Sequence, residues 1–376
     1  LKAGEFVALQ EKRKINMKVR IVRCEDENIW ILGKFARKLR EELLKLGVEV
    51  EIGKVPDANA DINHHIIYLD YNLNMLNNCD TLMITHVDEI NKVGLLKSFL
   101  GPAKLGICMS SSTMYDLVSS GIPREKLCFV NPAHDDEIIA QPLVVGICTK
   151  IQSDGRKREY LLKELINHIS PKDFQFVIMG DGLWPEYVDV IRKKGFKVKY
   201  YEQFDYDIYI KILHEFDYYL YMGMDEGQMG FVDAVAAGIK TIVTAQGYHL
   251  DAADGIYYSF TKQEELNSIF KNIAERRRRG IDSVKSWTWK HYALKHIQIW
   301  NYLLGDKKNL NLYSNFYNDG VMSLQEFCQD NNRQINNRNF KLSLIKRYFT
   351  QRYYTYRALY NKGELMKYIL NNKFKI

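Results

Sequence analysis

The sequence lacks any run approaching the roughly 18 uninterrupted apolar residues that a membrane-crossing helix needs, and no signal-type apolar segment opens it. Six cysteines, Cys24, Cys79, Cys108, Cys128, Cys148 and Cys328, are scattered without a CxxC or paired-histidine spacing. Neither a zinc site nor a disulfide framework is therefore indicated, and the expected compartment is the reducing cytosol. Acidic residues are scarce in one region only. From Asn331 onward the sole acid is Glu364, against eleven Lys and Arg residues between Arg333 and Lys375. The formal charge of +7 thus sits in one tail, while the body before it is near neutral. Positive charge confined to a tail, rather than spread across a motif, argues against a nucleic-acid partner.

What is present points to a sizeable α/β protein. A chain of 376 residues implies about two to three domains, and 46% hydrophobic residues can build their cores. Residues 1–16 are read as a leader, because Met17-Lys18-Val19-Arg20-Ile21-Val22 looks like a native start. The strand from Val19 leads through a charged loop, 24–28, to a helix over about Leu32–Leu46 that Gly47 closes. Further β-type runs are expected at Ile66–Leu69, Thr81–Thr85, Leu105–Met109 and Leu127–Val130, with a Ser-initiated helix after Cys108. The second half repeats the pattern, with strands at Leu143–Cys148, Phe174–Met179 and Lys197–Tyr201 and helices at Arg156–Ile169 and Ile208–Phe216. Alternating strands and helices of this kind make doubly wound parallel sheets.

The chain is organised around the stretch from Tyr219 to Asp251. An apolar strand, Tyr218–Met222, leads into Asp225 and Glu226, then a loop with Gly227 and Gly230, then a small-residue helix carrying Asp233. A second strand follows at Thr241–Thr244. Ligands of open α/β sheets bind at the carboxyl ends of the strands, so three acids and three glycines there suit a polyhydroxyl ligand. The plain alternative is a solvated loop whose acids cap the next helix.

A second cluster suits an anion. Lys150, Arg156 and Lys157 converge on the start of the helix expected at Arg156–Ile169, where unpaired N–H groups and the positive dipole end lie. Phe204-Asp205-Tyr206-Asp207 contains the Asp-x-Asp spacing of a metal-held diphosphate site. Its acids stand directly ahead of a helix with apolar residues at Ile208, Ile212, Leu213 and Phe216, so capping is the expected role and no metal is expected. His64 and His65 point to opposite faces, cannot easily share a ligand, and read as structural or at most acceptor-contacting.

The Tyr219–Asp251 stretch resembles the donor site of retaining GT-B glycosyltransferases of the family-4 type (glycosyl transferases group 1). Asp233-Ala234-Val235-Ala236-Ala237-Gly238 matches the second half of that signature. Asp225 stands the expected eight residues before Asp233, whereas the Glu-Gly dipeptide is Glu226-Gly227, one residue later. Which acid faces the sugar stays open. Lys157-Arg158-Glu159-Tyr160-Leu161-Leu162 is similar to the family's diphosphate-binding helix start, and Met179-Gly180-Asp181-Gly182 to its loop under the nucleotide. The family's Arg after the first strand of this domain is replaced by Ile147-Cys148, with Lys150 or Arg156 as the substitute. The family's glycine-rich turn after the first strand of the chain is also missing.

The resemblance implies a GT-B fold: two Rossmann-like doubly wound domains facing a cleft, here 17–139 for the acceptor and 140–286 for the nucleotide-sugar. A crossing helix follows at 287–304, opened by Ser286-Trp287-Thr288-Trp289. His86, directly after a strand, is implied as a contact to the donor sugar or its phosphate, Asp233 as the ribose ligand, and Lys157 as a diphosphate ligand. Asp225 or Glu226, with the N–H groups of Gly227 and Gly230, is implied to orient the sugar. The expected activity is retaining, metal-independent transfer from a nucleotide diphosphate-sugar, with no further cofactor, to a hydroxyl of a glycan, a lipid-linked glycan or a protein. A nucleotide-sugar epimerase on the same frame and a non-catalytic scaffold are the competing readings. Within 305–376, Leu342, Ile345, Phe349, Tyr353, Tyr356 and Tyr360 recur at helical steps among basic residues. Such an extension could pack on the body, lie through 340–376 on an anionic membrane at the inner, cytoplasmic face, or meet a partner.

Overall fold

The computed structural model describes residues 17–23, 30–74, 79–85 and 87–305. The leader 1–16, the charged loop 24–28, His86 and nearly all of the basic extension lie outside them. The chain forms two compact units, one from residues up to Asp135 together with those from Trp287, the other Asp136–Ser286. Each holds a six-stranded, fully parallel sheet, so the protein is α/β with two Rossmann-like units.

The first unit contains β1 (Lys18–Val22), α1 (Trp30–Lys45), β2 (Glu49–Gly53), β3 (Ile62–His65), β4 (Asp80–Ile84), α2 (Ile90–Leu100), β5 (Leu105–Cys108), α3 (Ser111–Ser119) and β6 (Leu127–Phe129). Its sheet order is β2-β1-β3-β4-β5-β6. Ser110 caps α3 by accepting the N–H of Thr113 at 3.0 Å. Two expectations need correction. The third strand lies at Ile62–His65, not Ile66–Leu69, and Tyr68–Asp70 is a 3-10 turn. The apolar count drew the strand too late because its last three residues, Asn63, His64 and His65, are polar yet buried. Strand β2 was not expected at all; its alternation of glutamates with Val50 and Ile52 marks one buried and one exposed face.

His64 and His65 do leave opposite faces of β3. His64 bonds Thr81 Oγ1 at 3.0 Å and meets the His296 ring edge-on at 5.0 Å, while His65 packs on Tyr71. His296 belongs to α9 (Trp289–Leu303), which completes this unit by laying Trp289 and Tyr292 against Phe35 of α1. Thr288 caps α9, accepting the N–H of His291 at 3.2 Å.

The second unit runs β7 (Leu143–Cys148), α4 (Tyr160–Leu165), β8 (Phe174–Met179), α5 (Trp184–Lys193), β9 (Val198–Tyr201), α6 (Tyr206–Leu213), β10 (Tyr218–Tyr221), α7 (Met229–Ala236), β11 (Lys240–Val243), β12 (Tyr258–Ser259) and α8 (Gln263–Ser283). The order β12-β11-β10-β7-β8-β9 means that the chain steps outward from β7 to β9 and then restarts on the other side of β7. This reversal opens a crevice beyond the carboxyl ends of β7 and β10. Among the described residues no helix is long and apolar enough to cross a membrane.

Candidate functional site

A cavity of about 630 Å³ opens at the carboxyl ends of the second unit's strands. Its wall includes Cys148 to Lys150 after β7, Met179 to Asp181 after β8, Glu202 to Phe204 after β9, and Gln228 to Gly230 with Asp233 from the start of α7. The loops after β7 and β8 are pressed together by a bridge between Ile151 and Gly182. Gly182 has φ +95, and a Cβ there would stand 1.8 Å from the Ile151 carbonyl oxygen. Its glycine is thus a requirement of both conformation and space. Across these loops Lys150 pairs with Asp181 at 2.8 Å, both side chains 59% exposed. Such an exposed pair is worth little and opens readily to a ligand.

Asp233 comes one turn into α7 and lines the cavity. Tyr209 donates to its Oδ2 at 2.8 Å, which leaves Oδ1 for a ligand. Beneath it, Gln228 ties the crevice together: its amide accepts from Tyr219 Oη and donates to the Cys148 carbonyl oxygen. The Cys148 thiol is pushed up to about 12 by burial and stays a thiol.

Beside the cavity, the loop after β10 forms a closed set of three. Lys157 Nζ lies 2.5 Å from Asp225 Oδ2 and 3.0 Å from Tyr221 Oη, and Tyr221 donates to Asp225 Oδ1 at 2.5 Å. Burial raises the Asp225 carboxyl, but the hydrogen bonds from Lys157 and Tyr221 outweigh it and hold it below its usual range. Gly227 donates to the same carboxylate at 3.3 Å and has φ +118. Glu226, the next residue, is exposed. His249, fully buried, fixes the far side: its Nε2 accepts the N–H of Gln228, the residue that opens α7. Among the described residues, no group of three or more His, Cys, Asp or Glu side chains gathers as a metal site. Asp205, the first acid of the Asp-x-Asp spacing, caps α6 as expected, accepting the Ile208 N–H at 2.9 Å.

No family model and no curated protein matches the chain. Solved structures do match. The lipopolysaccharide outer core galactosyltransferase WaaB is 12% identical, over 77% of this chain and 100% of that one, with a TM-score of 0.32. A sucrose-phosphate synthase from Thermosynechococcus elongatus is 11% identical over 77% and 99%, with a TM-score of 0.36. HepE of Anabaena, solved with UDP-glucose, is 12% identical over 86% and 100%, with a TM-score of 0.31.

Of the residues read from the sequence, the structure brings Lys150, Asp233 and Gly230 to the cavity wall and Lys157, Asp225 and Gly227 to the adjoining loop. Gly182 lies beneath, Arg156 pairs with Asp154 at 3.2 Å on the surface, and His86 lies outside the described residues. One expectation is corrected here. The helix expected at Arg156–Ile169 spans only Tyr160–Leu165. Arg158 has φ +51 and cannot continue a right-handed helix, and its buried guanidinium donates to the Thr261 carbonyl oxygen at 2.6 Å. Lys157 therefore lies in a turn ahead of α4, not in the first turn of the helix. Sequence reading missed Tyr209, Tyr221, Gln228 and His249. Tyr221 and Tyr219 had a signal, since alternation along β10 sends them to the same face at the strand's end.

Proposed function

We propose that the chain is a GT-B-type glycosyltransferase that moves a sugar from a nucleoside diphosphate to a hydroxyl acceptor, with retention of configuration and without a metal. The observation that carries this reading is the convergence, at the sheet's switch point, of a cavity of about 630 Å³, a carboxylate with a free oxygen (Asp233) and a half-buried ammonium (Lys157). The volume suits a nucleotide-sized ligand.

In this reading Asp233 Oδ1 accepts from the ribose hydroxyls, with Tyr209 holding the carboxylate in place. An ammonium has three N–H donors. Two of those on Lys157 are taken by Asp225 and Tyr221, and the third is left for the leaving phosphate. Lys150, released from Asp181, or Arg156 adds further positive charge. Glu226 orients the sugar. Departure of the diphosphate leaves an oxocarbenium-like sugar, so most of the barrier reduction comes from stabilised leaving-group charge and from holding the acceptor close. The departing phosphate takes the acceptor proton on the same face, and no protein nucleophile is needed.

Incubation of the purified chain with UDP-, GDP- and ADP-sugars tests this. Slow release of nucleoside diphosphate, faster when a hydroxyl acceptor is supplied, is the expected result. Interconversion of the sugars would indicate an epimerase, and absence of binding a non-catalytic scaffold.

A further inference from the structure

The three-membered set around Lys157 divides two adjacent acids between two roles. The Asp225 carboxylate is committed inside the protein: Oδ2 to Lys157, Oδ1 to Tyr221 and to the Gly227 N–H. Its side chain is 20% exposed and that of Lys157 13%. The loop is built to admit this set. Gly223 lies against it, and a Cβ there would come 2.4 Å from Tyr221 Oη and 3.2 Å from Lys157 Cδ. Glu226, the next acid, keeps its carboxylate exposed, while its backbone carbonyl accepts the N–H of Tyr248 at 3.1 Å.

We propose that Asp225 is the resident counter-ion of Lys157, a positioning residue that holds the ammonium against Tyr221 and weakens the site's hold on the nucleoside diphosphate so that product leaves. The effect on diphosphate rests on the reading of this site given under Proposed function; the pairing does not. The physical reason is charge. A fully unopposed ammonium in a half-buried site would bind a multiply charged diphosphate tightly in substrate and product alike, and uniform tightness does not speed turnover. A carboxylate at 2.5 Å offsets that attraction while fixing the direction of the remaining N–H. Asp225 then cannot also face the sugar, and Glu226 is left to do so.

Two measurements test this. In ligand-free protein, an amine-reactive ester read out by mass spectrometry should label Lys157 about fivefold faster in Asp225→Asn than in wild type, because the ammonium has lost its anion. By calorimetry, Asp225→Asn should bind UDP, GDP or ADP, whichever the wild type binds, about three- to tenfold more tightly, with the same factor for the corresponding nucleotide sugar. Glu226→Gln, which leaves the set intact, should change neither the labelling nor the diphosphate affinity. Unchanged labelling overturns the pairing. Diphosphate affinity that is unchanged or weaker in Asp225→Asn overturns the tuning role, and a loss confined to the nucleotide sugar would place Asp225 on the sugar instead. If the wild type binds no nucleoside diphosphate, the reading of the site fails and the tuning role with it, while the labelling still decides the pairing.

Discussion

His249 Nε2 accepts the backbone N–H of Gln228 at 2.9 Å, while its Nδ1 faces the Thr244 carbonyl oxygen at 3.3 Å. These two partners fix the neutral tautomer with the proton on Nδ1. The ring is also packed by Phe231 at 4.3 Å and by the edges of Tyr221 and Tyr248. A buried imidazole thus holds both the start of α7, which carries Asp233, and the loop that carries Asp225.

This arrangement has a pH dependence of definite sign. Burial lowers the His249 pKa below its ordinary 6.5. The unfolded chain therefore binds the proton more readily, and the stabilisation is complete above about pH 6.5 and lost as pH falls toward the folded value. A proton on Nε2 would also face an N–H. Amide exchange at Gln228, corrected for its intrinsic pH dependence, should show protection at pH 7.5 that declines below about pH 6.5. Protection that is flat between pH 5 and 8 would remove His249 from this role.

The capping role of Asp205 gives a second prediction. Asp205→Ala should cost about 1 kcal/mol of stability by denaturant unfolding, the usual worth of an N-cap. Turnover, once a donor is known, should be near wild type in that variant and should survive a chelator. Activity lost in chelator and restored by manganese or magnesium would return the Asp205–Asp207 pair to a metal role.

Two glycines of positive φ should behave differently. At Gly182 an added methyl meets the Ile151 carbonyl oxygen, so Gly182→Ala should cost at least about 2 kcal/mol and distort the cavity wall. At Gly155, φ +69, nothing lies within 4 Å of the added methyl. Its replacement by Ala should cost only the backbone term, about 1 kcal/mol. Equal effects in thermal unfolding would mean that the β7 and β8 loops are not pressed together as described.

Much of the fold was legible because its signals are local. Leu143–Cys148 and Phe174–Met179 are apolar runs between polar turns, and both strands fall at those residues. What escaped depends on contacts far along the chain. Asn63, His64 and His65 look too polar for a strand, yet they are buried: α9, more than 200 residues later, brings His296 against His64, while Tyr71 covers His65 on the other face. The early start expected for α4 failed on Arg158, whose left-handed backbone has no sequence signature in a residue that is not glycine. In the candidate site, the acids and the basic cluster could be read from residue type and spacing. Their pairing could not, since Lys157 and Asp225 are 68 residues apart and only the sheet order of β7 and β10 makes them neighbours.

The central claim is that Asp233 and Lys157 hold the two ends of one nucleoside diphosphate. Calorimetric titration of wild type, Lys157→Ala and Asp233→Ala with UDP, GDP and ADP tests it most directly. One nucleotide should bind the wild type, and each substitution should weaken it at least about tenfold, since each removes a charge-assisted hydrogen bond worth about 1.5 to 3 kcal/mol. Binding that is absent in the wild type, or equal in all three proteins, would contradict the account.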